Sequence, residues 1–104
     1  MSDYGQRQFK MMLSILDAFD ERAIGLGKAI ADLDAIYRSL EGTEKLWKGL
    51  FYRKWAVLEE VYAVTLNRKL SQLPSADQKL IDDAIQAIRK LVQERINVAS
   101  EVEK

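Results

Sequence analysis

The chain has 104 residues, enough for one domain around one core, and 48% of them are apolar. Sixteen acids balance sixteen bases, so the net charge is zero; this argues against general nucleic-acid binding, which needs a surplus of Lys and Arg against phosphate. Neither Cys nor His occurs, which removes disulfides, thiol nucleophiles, the usual general base and ordinary zinc sites.

One Pro and five Gly, among many Leu, Ala, Lys, Glu and Ile, favour helix over strand. The apolar spacing predicts an all-α, up-down four-helix bundle with helices near residues 4–19, 26–40, 44–68 and 76–99 of one domain, 1–104. In the first helix Phe9, Met12, Leu13, Leu16 and Phe19 form the stripe, with Met11 and Ile15 beside it. Asp3 and Gln6 have the spacing of a capping box, weakened by Gly5. Asp17, Asp20 and Glu21 gather at the helix C-terminus, where the dipole disfavours anions. That reads either as a frayed end or as an acidic surface held against stability.

Gly25-x-Gly27 reads as a turn, because no strand precedes it and no third glycine follows, as a phosphate loop requires. Leu26, Ile30, Leu33, Tyr37 and Leu40 then repeat at four and three, with Asp32 and Asp34 on opposite flanks. Gly42 suits a helix C′ position and Thr43 an N-cap.

The third helix is the most apolar. Trp47, Phe51, Trp55, Leu58, Tyr62 and Thr65 share one side, Leu50, Val61 and Val64 widen the stripe, and Leu66 lies at its edge. Such a helix is expected to be wrapped by the other three. Lys54 falls within the stripe, either snorkelling to water or pairing with Glu59 or another carboxylate. Gly49, Ala56 and Ala63, seven apart, admit a close neighbour or form a plain exposed face. Pro74 lies in the longest loop, Asn67 to Ser75. Ser75 and Gln78 have capping-box spacing for the fourth helix. Its stripe is Ile81, Ala84, Ile85, Ile88, Val92 and Ile96, with Leu91 beside it and a charged opposite face.

No constellation for catalysis emerges. Glu59 and Glu60 are adjacent, as are Asp82 and Asp83, so each pair diverges by about 100° on a helix and cannot share a proton. The only basic segment, Glu44 to Leu70, uses its aromatics for the core rather than for base stacking. No cofactor or metal is expected, no apolar run reaches the ~20 residues of a membrane span, and the polar N-terminus lacks a signal h-region. A cytoplasmic protein that binds another protein is the expectation.

The order Trp47, Leu50-Phe51, Trp55, then Leu58-Glu59-Glu60-x-Tyr62-Ala63, resembles small all-helical bacterial immunity proteins of polymorphic toxin and contact-dependent growth inhibition systems. In those, a Leu/Ile-Asp-x-Leu-x-x-Leu-like helix precedes a Trp-containing helix ending in Leu-Glu-Glu-like residues, and a last amphipathic helix follows. Here the first part reads Ile30-Ala31-Asp32-Leu33-Asp34-Ala35-Ile36-Tyr37-Arg38-Ser39-Leu40, and the likeness covers residues 9 to 92. The resemblance implies a non-catalytic inhibitor that binds the C-terminal domain of a cognate toxin one to one. Many such toxins are nucleases with basic clefts, which makes Asp17, Asp20, Glu21, Asp32, Asp34 and Glu41 the candidate toxin-binding residues. Each of these acids also reads as ordinary solvated surface. Every aromatic has a place in the core, so none stands out as an anchor. The alternative is a self-associating structural or adaptor bundle without a toxin partner, joined through Gly49, Ala56 and Ala63. A monomer or weak homodimer is expected; a stable dimer of the isolated chain would favour the alternative.

Overall fold

Each run of apolar residues at intervals of three and four folds as a helix and turns that stripe inward. The computed structural model describes residues 3–40, 42–68 and 74–102. Among them are α1 (Asp3–Asp20), α2 (Leu26–Ser39), α3 (Lys45–Asn67) and α4 (Ser75–Val102), and no strand. α1 packs along α2 and α4, and α3 packs along the same two. The helices therefore stand at the corners of a square, each antiparallel to its neighbours, with α1 and α3 on one diagonal. The expectation of a third helix wrapped by three others is corrected: α3 is one corner, and its outer side faces water.

The core draws on all four stripes. Phe9, Met12, Leu16, Leu33, Phe51, Leu58, Ile81, Ile85, Ile88 and Val92 are fully buried. All six expected α4 residues are buried, with Leu91 half-buried beside them. On α2 the buried stripe is rotated from the expected one. Ala29 and Ile36 are buried, while Leu26 and Tyr37 are half-buried, because α1 closes over the Ile36 flank. On α3, Trp47, Phe51, Trp55, Leu58 and Val61 are buried, but Leu50, Val64 and Leu66 are exposed and Thr65 is half-exposed. At ~1.5 Å rise per residue, the 14 residues of α2 cover only part of the 23 of α3, which leaves the last turns of α3 uncovered.

Two indoles pin α3 to its neighbours. Trp47 Nε1–H donates to the Leu91 carbonyl of α4 and Trp55 Nε1–H to the Ile30 carbonyl of α2, both at 3.0 Å. Phe9 of α1 meets Trp47 edge-on across the diagonal, with ring centroids 5.2 Å apart. Trp47 stacks on Phe51, and Phe51 stacks on Tyr37 of α2 at 5.2 Å.

The helix ends differ from the expected caps. α1 does not fray. Ala23 N–H donates to the Ala18 carbonyl at 2.8 Å and Arg22 N–H to the Phe19 carbonyl at 3.0 Å, the two bonds of a Schellman motif. Arg22 takes the left-handed position at φ +62°, a conformation that Gly adopts more easily. α1 already includes Asp3. The C-cap of α2 is Leu40, in extended conformation, so Gly42 lies two residues beyond it, at φ +69°. Glu44, not Thr43, holds the N-cap of α3, without a side-chain cap bond. Ser75 is itself helical. Gln78 N–H donates to the Pro74 carbonyl, and its side-chain amide turns to Asp82 at 3.0 Å instead of closing a box.

Candidate protein-binding surface

The acids singled out from the sequence do not form one patch. Asp17 and Asp20 turn toward α4, where a single arginine takes both. Arg89 Nη1 donates to Asp17 Oδ1 and Nη2 to Asp20 Oδ2, each at 2.6 Å. Burial pushes the Arg89 pKa down, but the hydrogen bonds and charges of Asp17 and Asp20 outweigh it and raise the value above that of an ordinary arginine. Arg89 also brings a cation to the negative end of α1. Asp32 pairs with Lys28 at 3.1 Å and lines the groove between α1 and α2. Asp34 pairs with Arg38 at 3.0 Å on the other flank of α2. Glu21 is exposed beside the α1 cap, with no basic partner among the described residues. Glu41 lies outside the described residues. Four of these acids thus already hold bases of their own chain.

Arg89 escapes a sequence reading because its partners lie 72 and 69 residues away. Arg95 was equally silent. Its guanidinium reaches Glu44 at 3.5 Å across the α3–α4 seam, while its Nε is buried without a partner.

Lys54 is exposed. It lines a shallow groove of about 280 Å³ with Leu50, Ala87, Lys90, Leu91 and Glu94, so its stem lies along the α3–α4 seam and its amine reaches water. Glu59, five residues on, lies about 140° round the helix, so the two do not pair. In the Gly49, Ala56, Ala63 row, Ala56 packs on the core, Ala63 is exposed, and a Cβ built on Gly49 meets nothing within 4 Å. Among the described residues no helix closes on Gly49. Gly27 has the opposite surroundings. It sits in the first turn of α2, and a Cβ there would lie 2.5 Å from the Tyr62 hydroxyl and 2.8 Å from its Cζ.

The distinctive surface is apolar and belongs to α3. Of the seven large hydrophobic side chains exposed among the described residues, five are on this helix: Leu46, Leu50, Tyr52, Val64 and Leu66. Leu46 is 74% exposed and Leu66 58%. Tyr52, 50% exposed, corrects the expectation that every aromatic is spent on the core. Its ring lies 5.5 Å from that of Trp55 and 6.3 Å from that of Tyr37, so it is held by the core while one face meets solvent. Lys48 sits over the Tyr37 ring at 5.0 Å, next to it on the same flank. The spacing did carry a signal: Tyr52 falls five residues from Trp47, off the buried stripe.

Among the described residues, no group of three or more Asp and Glu is placed to hold a metal ion, and no helix is long and apolar enough to cross a membrane. Comparison with protein-family models, with curated proteins and with solved structures finds no match.

Proposed function

We propose that this chain is a cytoplasmic immunity protein that neutralises a cognate toxin domain by binding it stoichiometrically, without catalysis. The sequence resemblance names the partner class. The observation that carries a binding role is Tyr52 on the α2 flank of α3, a half-exposed ring fixed by Tyr37 and Trp55. A rigid aromatic loses little side-chain freedom on binding, which is why such residues dominate interface energetics. Lys48 and the Asp34–Arg38 pair supply a polar rim to that flank. Of the acids, Glu21 holds no base among the described residues and can meet a basic cleft directly. Asp17, Asp20, Asp32 and Asp34 would first exchange a partner within their own chain.

The test is co-expression with the toxin domain encoded immediately upstream. The wild-type chain is expected to rescue growth and to co-purify with the toxin. Tyr52→Glu is expected to lose rescue while keeping the helical circular-dichroism spectrum. Neither rescue nor a complex with the wild-type chain overturns the reading.

A further inference from the structure

The flank of α3 beside α4 carries a second pattern, on the other side of the helix from Tyr52. Leu46, Leu50, Arg53, Val57, Glu60 and Val64 recur at intervals of four, three, four, three and four, the rhythm of a helix-packing seam. Among the described residues no helix covers its outer members, while Val57 packs in part against the core. Leu46, Leu50 and Val64 are exposed hydrophobics, Arg53 and Glu60 are exposed, and Val57 is half-buried at the centre. Leu50 also borders the groove that Ala87 and Leu91 of α4 line, so the apolar surface continues onto α4.

From Leu50 to Val64 the row is complementary to its own reverse. Turned end over end about Val57, it places Leu50 opposite Val64 of a second copy and Val57 opposite Val57. Arg53 then falls opposite Glu60 of that copy, and Glu60 opposite its Arg53. At ~1.5 Å per residue, Leu50 and Val64 each lie about 10 Å from the centre, and Arg53 and Glu60 about 6 and 4 Å from it, so both matches hold in one register. A parallel pairing would instead set Arg53 beside Arg53 and Glu60 beside Glu60, which like charges oppose. No salt bridge within the chain engages Arg53 or Glu60 among the described residues.

We infer that this chain self-associates as an antiparallel, two-fold symmetric dimer through the outer row of α3, with Val57 on the axis and Arg53 paired to Glu60 of the second copy. A symmetric interface presents the same patch from both partners, which this register provides. One row of side chains buries less than the ~800 Å² per partner of a standard interface, so the dimer forms weakly and reversibly. The inference does not depend on the toxin reading, since Tyr52 remains outside the interface.

Sedimentation velocity of the isolated chain tests it. The wild-type protein is expected to be monomeric near ~5 µM and largely dimeric near ~500 µM, as a weak, transient contact would be. Arg53→Glu and Glu60→Arg each place like charges across the two-fold, and each is expected to weaken the dimer roughly 10-fold or more. The double variant R53E/E60R restores opposite charges and is expected to recover it. Both residues concerned are on the solvent side, so circular dichroism should not change. A chain that stays monomeric at ~500 µM overturns the inference. So does a dimer indifferent to either single swap, or one that the double variant fails to restore. If the row instead docks the toxin domain, the single swaps would abolish growth rescue and leave sedimentation unchanged, which also overturns it.

Discussion

α3 and α4 are the two longest helices and lie antiparallel against each other, yet they meet water in opposite ways. α4 divides cleanly. Ile81, Ala84, Ile85, Ile88, Val92 and Ile96 are buried, while Lys79, Asp82, Asp83, Lys90, Gln93 and Glu94 are exposed. Its outer face is further tied by local pairs such as Lys79–Asp83 at 3.3 Å. α3 buries a stripe of similar width and then keeps Leu46, Leu50, Tyr52, Val64 and Leu66 in solvent. The difference teaches that apolar spacing reports which residues can be buried, whereas the number and length of neighbouring helices decide which are. The exterior of α4 is made for water and that of α3 for contact.

The largest expected effect separates the two sides of α3. Leu58 is fully buried, so Leu58→Ala should destabilise the fold by about 2–5 kcal/mol in a denaturant titration. Leu46→Ala, on the outer side, should stay within about 0.5 kcal/mol. Equal losses at both positions would erase the distinction.

Two helical glycines sharpen the comparison at smaller amplitude. Gly27→Ala drives a methyl into the Tyr62 ring and should destabilise by about 1–2 kcal/mol, even after the gain in helix propensity. Gly49→Ala, on the open side of α3, should stabilise by about 0.5–1 kcal/mol. Thermal unfolding of the two variants should therefore move in opposite directions.

The smallest effect probes Arg89, whose guanidinium ties α4 to the end of α1. Arg89→Met should cost about 0.5–1 kcal/mol, because Asp17 and Asp20 are largely exposed and solvent screens the pair. The deficit should shrink near ~1 M salt. Because the Arg89 pKa is raised, its contribution is fully present below the ordinary arginine range and fades only as pH rises through the raised value. Titration of Arg89 itself therefore adds no pH dependence in neutral or acidic solution; salt is the discriminating variable.

The four helices and the core of α4 were legible because a charged outer face leaves only one side to bury. On α3 the same rule over-reached at Leu50, Val64 and Leu66, since apolar character continues past the area that α2 and α4 cover. The caps misled for a local reason. Thr43 and Ser75 have the right chemistry, but Glu44 and Pro74 supply the first accepting carbonyls. The acids were visible one by one. The sequence reading assigned them no partner, although Lys28–Asp32 and Asp34–Arg38 are four apart within a helix; Arg89 reaches Asp17 across the fold.

The two tryptophans report on different seams. Trp47 is bonded to α4 and stacked on Phe51, and Trp55 is bonded to α2. Replacing one indole at a time leaves a single fluorophore whose emission follows one helix junction. If the α2–α3 and α3–α4 junctions loosen together, both emission changes trace one curve; if the short α2 detaches first, the Trp55 signal shifts while that of Trp47 holds.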